Sequence, residues 1–162
     1  MRKIIIGVMG PGEKATTNDL QNAYELGQLI AQQGWILLTG GRNVGVMEAA
    51  NQGAKSADGL TLGILPSSQP DGISEAVDIA IFTDMGNARN NINVLSSHVV
   101  IACGMGAGTA SEIALALKAN KPVILLNDDR ESQNFFQKLS LNNVYIVDTA
   151  LDAIATIHKY LL

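Results

Sequence analysis

Glycines stand at every second position of the stretch Cys103-Gly104-Met105-Gly106-Ala107-Gly108-Thr109, and an apolar pattern at helical spacing follows at once, through Lys118. A glycine bend that enters a helix presents unpaired N–H groups at the positive end of the helix dipole. With no Cβ in the way, an anion can approach the backbone closely. The run from Gly104 to Thr109, with Met105 and Ala107 in the bend and the Thr109 hydroxyl as a further donor, is therefore a candidate phosphate cradle. It is not the Gly-x-Gly-x-x-Gly dinucleotide fingerprint, because the third glycine comes one residue early, and it lacks the lysine of a nucleoside-triphosphate loop. Both NAD binding and ATP hydrolysis are disfavoured on that ground.

Two more glycine turns follow apolar runs: Gly10-Pro11-Gly12, and the segment Gly40-Gly41-Arg42-Asn43-Val44-Gly45, which also leads into a helical pattern. One such turn is most often only a turn; three that all follow strands carry more weight. Two charged residues join them. Glu112 has capping-box spacing from Thr109 in "TASE", so it either closes onto the Thr109 backbone or offers a carboxylate one turn from the cradle to a ribose hydroxyl, a water or an amine. Arg89, in "GNARNN", begins a helical segment where the dipole disfavours a cation; it either faces an anion or lies on the surface. Arg42 carries the same two readings. Met47 and Met105 floor the pocket or fill the core. Cys103, closing a buried strand, reads as core. His98 reads as a helix cap and His158 as part of an apolar stripe with Leu151, Ile154, Ala155 and Leu161; two separated histidines build no metal site. Asp128 and Asp129 read as a solvated turn.

The elements that must position these residues alternate regularly. Apolar runs at 3–10, 35–41, 60–66, 76–84, 99–104, 122–127 and 144–149 read as strands. Helical patterns fall after 16–19, where Leu20, Ala23, Tyr24, Gly27, Ile30 and Ala31 form one stripe, and at 44–57, 87–98, from near Thr109, at 131–139 and at 151–162. Continuous apolar strands imply burial on both faces. The expected fold is α/β, a doubly wound, mostly parallel, seven-stranded Rossmann-like sheet formed by residues 1–162 as a single domain. In such a sheet ligands bind beyond the carboxyl ends of the strands, where all three glycine turns fall. The segment 66–75, with two Pro, one Gly and three Ser, is expected to be mobile.

Composition narrows the partners. The 162 residues suffice for one ordinary core. With 47% apolar and 16% charged residues, some apolar surface is expected to lie between subunits. A net charge of −4 leaves no electrostatic footprint for nucleic acid. A single cysteine excludes an internal disulfide and a cysteine zinc cluster, and points to the cytoplasm. No apolar run approaches the roughly 18 residues that span a bilayer, and "MRKIIIGVMGPGE" reads as a first strand rather than a leader.

The motifs "GGRNVGVMEAANQGA" (40–54) and "GMGAGTASE" (104–112) resemble the two signatures of the lysine-decarboxylase-like superfamily, which includes the cytokinin-activating phosphoribohydrolases. Together with "IIGVMGPG", "GWILLTGGRNVGVME", "NARNNINVLSSHVV" and "GMGAGTASEIALALKANKPV", almost the whole chain is similar to the molybdenum cofactor carriers of green algae and cyanobacteria within that group. The resemblance implies a Rossmann-like homo-oligomer, dimers assembling into a tetramer, that binds and protects the molybdenum cofactor (molybdopterin) without transforming it. The terminal phosphate would be held by the three glycine loops, Thr109 and Arg89, with Glu112 beside them. Molybdenum enzymes or cofactor-synthesis proteins would be its protein partners. The pattern departs from the phosphoribohydrolases: they carry Pro-Gly-Gly where this chain has Gly104-Met105-Gly106, and an Arg-Lys pair where it has Arg89-Asn90. Yet Arg89 and Glu112 occupy the catalytic positions of that family, so N-glycosidic cleavage of a nucleoside 5'-monophosphate is the alternative. A nucleotide-sensing module built on the same cradle is a third reading.

Overall fold

The computed structural model describes residues 2–127 and 129–161, and the side chain of Leu161 is outside that description. Seven strands run parallel in one sheet: β1 (Ile5–Met9), β2 (Ile36–Thr39), β3 (Thr61–Leu65), β4 (Ile79–Phe82), β5 (Val99–Cys103), β6 (Val123–Leu126) and β7 (Val144–Val147). Their order across the sheet is β4-β3-β2-β1-β5-β6-β7. Five helices lie between strands, α1 (Thr17–Gln32), α2 (Gly45–Ser56), α3 (Asn90–Ser96), α4 (Ala107–Lys118) and α5 (Arg130–Leu139), and α6 (Ala150–Leu161) follows β7. The α/β, doubly wound arrangement is the one expected, and every pairing is parallel.

Strand side chains alternate between two cores. One set, including Ile6, Leu37 and Ile101, packs under α1, α2 and α6. The other, including Leu38, Val100 and Leu125, packs under α3, α4 and α5. Helices on both faces explain why β5 and β6 are buried along their whole length. The edge strand β4 differs: all four of its residues are exposed, which corrects the expectation of burial on both faces for the run 76–84. No helix covers the outer part of the sheet there, so Ile79, Ile81 and Phe82 stand at 43–48% exposure.

Three helices depart from the sequence reading in phase or length. Along α1 the buried residues are Ala23, Leu26, Gly27 and Ile30, while Leu20 and Tyr24 are exposed. Along α6 they are Ala150, Ala153, Ile154 and Ile157, so Leu151, Ala155 and His158 lie outside the stripe assigned to them. His158 instead shares a 2.8 Å hydrogen bond with Gln33 and tilts against Trp35. The segment 87–98 is a 3₁₀ turn over Gly86–Arg89 followed by the two-turn α3. His98 caps no helix; its Nδ1 accepts the Ile5 N–H at 3.0 Å.

The segment 66–75 is bonded to the loop before α2. Asn43 N–H donates to the Gly72 carbonyl and Ser74 N–H to the Gly41 carbonyl, both at 2.9 Å, and Arg42 and Ile73 form an antiparallel bridge. Asp129 caps α5, its Oδ1 accepting the Glu131 N–H; Asp128 lies outside the described residues.

Candidate ligand-binding site

The chain winds one way from β1 to β4 and the other way from β5 to β7, so a crevice opens at the carboxyl ends of β1 and β5. Gly10 and Gly104 leave those two strands. Between them lies a cavity of about 120 Å³ bordered by Gly40, Arg89, Gly108, Thr109 and Glu112. A wider chamber of about 410 Å³ continues it outward between residues 10–14 and 105–109. Gly10, Gly108 and Thr109 border both.

The glycines of the three loops divide into those whose hydrogen is demanded by close packing and those for which the protein gives no such reason. At Gly45, φ is +59° and a Cβ would stand 2.3 Å from the Gly12 carbonyl oxygen. Val46 N–H donates to the Pro11 carbonyl at 3.0 Å. The start of α2 therefore grips the Gly10–Gly12 turn, and neither Gly41, Arg42 nor Gly45 borders the cavity. Arg42 is bound instead to Glu13, 3.1 Å away. Gly104, at φ +77°, packs against the Asp19 carboxylate.

Gly106 and Gly108 have no such reason. A Cβ on Gly108 would meet nothing within 4 Å, and one on Gly106 would make only ordinary contact with Pro11, 3.6 Å away. Glycine inside a helix costs about 1 kcal/mol relative to alanine, and the packing here requires none at 108. The space in front of both residues is room for a group brought to the helix. Gly106 is the N-cap of α4 and no side chain caps it. Its carbonyl accepts the Ala110 N–H at 2.8 Å, the first bond of the helix, which leaves the N–H groups of residues 107–109 without intrahelical partners.

The capping-box reading of Glu112 is overturned. Because α4 begins at Ala107, Glu112 sits nearly two turns inside, beyond reach of the helix start. It is 7% exposed, and its Oε1 accepts the Asn93 side-chain amide at 3.0 Å. Burial pushes its carboxyl up to about 7, against the opposing pulls of Asn93 and of the Arg89 guanidinium. Such a carboxyl can hold a proton near neutral pH. The surface reading of Arg89 is overturned too: it is 7% exposed. Its Nε donates to the Ile64 carbonyl at 2.8 Å, Nη2 to the Gly40 carbonyl at 3.4 Å and Nη1 to Asn90 Oδ1 at 3.3 Å. Burial lowers its pKa, with Glu112 pulling the other way; it remains a cation. Thr109 Oγ1 is buried against the cavity with no hydrogen-bond partner.

Of the remaining sequence candidates, Gly10, Gly40 and Met47 border the inner cavity, and Pro11, Gly12, Met105, Gly106 and Ala107 the outer chamber. Cys103 is core: its thiol donates to the Asp19 carbonyl and burial pushes it up to about 12. Residues the sequence reading missed are Asn90 and Asn93, which brace Arg89 and Glu112, Ser111, which accepts from Asn90, and Lys14 in the outer chamber. The i, i+3 spacing of Asn90 and Asn93 on one helix was the available signal.

The arrangement has the chemistry to take an anion: a buried cation, an uncapped helix start, a free hydroxyl and a carboxyl able to carry a proton. Known proteins are similar to this chain over most of its length. The chain is 67% identical to the molybdenum cofactor binding protein of the phototrophic bacterium Rippkaea orientalis, covering 100% of this chain and 99% of that one, with a TM-score of 0.99. It is 55% identical to the Moco carrier protein of Chlamydomonas reinhardtii over 99% of this chain and 98% of that one, with a TM-score of 0.93. A more distant similarity, 32% identity over 96 residues, joins it to the cytokinin riboside 5'-monophosphate phosphoribohydrolase of Mycobacterium tuberculosis, covering 58% of this chain and 51% of that protein. Residues 3–154 match the model of the SLOG cluster4 family. A match of that extent, on a parallel sheet with an open glycine cradle at its switch point, makes this chain a member of the SLOG cluster4 family.

Proposed function

We propose that this protein binds the molybdenum cofactor and carries it unchanged, with the terminal phosphate at the start of α4. What carries the reading is the whole-length similarity to proteins named as molybdenum cofactor binders and carriers. The site's chemistry fits the ligand. A phosphate suits the free N–H groups of residues 107–109 and the orphaned Thr109 hydroxyl. Arg89 borders the same cavity. The outer chamber, with Met105, Pro11 and the methyl of Ala107, offers apolar cover for the pterin. The pterin brings its own sulfurs to the metal, so a protein thiolate is not needed; the buried, neutral Cys103 is in keeping with that.

Carriage requires slow release and exclusion of water, which a cleft roofed by bound ligand supplies. Molybdenum enzymes or cofactor-synthesis proteins are the proposed partners, the cytoplasm the proposed compartment, and a homo-oligomer the proposed assembly. The test is anaerobic retention: after mixing with freshly released cofactor and desalting, molybdenum and oxidised-pterin fluorescence approach one per subunit. Retention no better than that of an unrelated protein sinks the reading.

One observation favours a second activity. Arg89 and Glu112 border the same cavity, as a pair that binds a ribose phosphate and assists N-glycosidic cleavage would. Release of adenine from adenosine monophosphate, lost in Glu112→Ala, is the measurement that supports this alternative.

A further inference from the structure

Glu112 and the phosphate cradle share one small space. The carboxyl borders the same cavity of about 120 Å³ as Gly108 and Thr109, so an anion on those residues cannot stand far from it. Only one carboxyl oxygen is occupied by protein, Oε1, by the Asn93 amide. The charges do not balance as they stand. A phosphomonoester dianion and an ionised Glu112 bring three negative charges, against one buried cation.

No other charged group on the surrounding elements makes up the difference. Arg42, from the loop before α2, is held by Glu13. Glu48 on α2 is bound by Gln52, and Asp19 on α1 caps its own helix with Thr16. Lys14 belongs to the exposed outer chamber, and Lys118 closes the far end of α4. The helix dipole adds the equivalent of about half a positive charge. Arg89 spends three of its donors on Ile64, Gly40 and Asn90, so it cannot turn wholly to the ligand.

We propose that the phosphate enters together with one proton, which comes to rest between it and Glu112, so that the site grips its ligand as a carboxylic acid–phosphate pair and loosens as the solution turns alkaline. This rests on the phosphate-binding reading above. The proton comes from solvent; no other bond is made or broken. The empty site is prepared for it, because burial has already brought the carboxyl up to about 7. A bound dianion raises it further. A group whose pKa is higher in the complex favours binding below its free value, and that advantage is lost as pH rises through the window above 7.

The test is the dissociation constant of the released molybdenum cofactor, measured anaerobically by equilibrium dialysis at pH 6.5, 7.5 and 8.5, for the wild type and Glu112→Gln. The amide copies the donor of the protonated acid but cannot ionise. For the wild type, the constant is expected to rise about tenfold or more from pH 6.5 to 8.5. For Glu112→Gln it changes less than threefold, and decay of the cofactor at high pH affects both proteins alike. A wild-type profile that is flat, or one that Glu112→Gln reproduces, overturns the proposal and leaves the carrier reading standing. So does a Glu112→Gln protein that binds nothing at pH 6.5 while still folded by thermal melt, since its amide supplies the same donor. If the wild type binds at no pH, the carrier reading itself fails.

Discussion

At the scale of single residues, the site is a set of groups whose usual partners are withheld. Gly106 lacks the side chain that would cap α4, Gly108 lacks one the packing could accept, and Thr109 lacks a hydrogen-bond partner. Asp at an N-cap satisfies a helix's first N–H groups better than Gly does, by a few tenths of a kcal/mol or more. Backbone at 106 is extended, with φ −166°, so any residue adopts it. Gly106→Asp is thus expected to leave the melting temperature unchanged or slightly raised while cofactor retention falls at least tenfold. Equal retention in that variant would place the phosphate elsewhere. Glu112 makes a second prediction. Its folded carboxyl lies near 7, above its ordinary value of 4.5, so the folded state holds the extra proton between those values and stability declines as pH rises through them. Glu112→Gln should match the wild type near pH 4.5 and exceed it by up to about 3 kcal/mol at pH 8. Thermal melts at both pH values check this, and a wild type equally stable at both would refute it.

At the scale of elements, two helix starts that look alike in sequence do different work. The start of α2 is spent on Pro11 and Gly12, whereas the start of α4 is left open. Gly45→Ala puts a Cβ 2.3 Å from a carbonyl oxygen at a positive φ. A cost of about 2 kcal/mol or more is expected, with loss of ligand because the Gly10–Gly12 turn must shift. Melting and retention measured together test it; destabilisation alone would mean the turn moves without touching the cleft. Arg89 links elements in another way, tying the turn before α3 to the ends of β2 and β3 through Gly40 and Ile64. Arg89→Ala leaves the Ile64 and Gly40 carbonyls without their donor, at a cost of about 3 kcal/mol. Urea denaturation reads that loss.

At the scale of the whole molecule, a low-charge chain places its ligand chemistry on one edge of the sheet and leaves apolar side chains of β4 uncovered on another flank. If the proposed homo-oligomer forms, sedimentation equilibrium gives a multiple of 17.1 kDa; a mass of one subunit at micromolar concentration would count against it. The sequence by itself settled the alternation of seven strands and their helices, and the three glycine turns at the strands' carboxyl ends. Apolar periodicity and glycine breaks are local signals, and the fold follows them. The stripes read for α1 and α6 catch Ala23, Gly27, Ile30 and Ile154 but also take in exposed Leu20, Tyr24 and Leu151, which are as apolar as the buried positions. Tertiary structure alone decided which glycines serve the fold and which face the cleft, since that depends on what a Cβ would strike from distant parts of the chain. It alone turned Glu112 from a cap into a buried acid, because its protonation is set by desolvation and by Arg89, neither of which is written in the residues beside it.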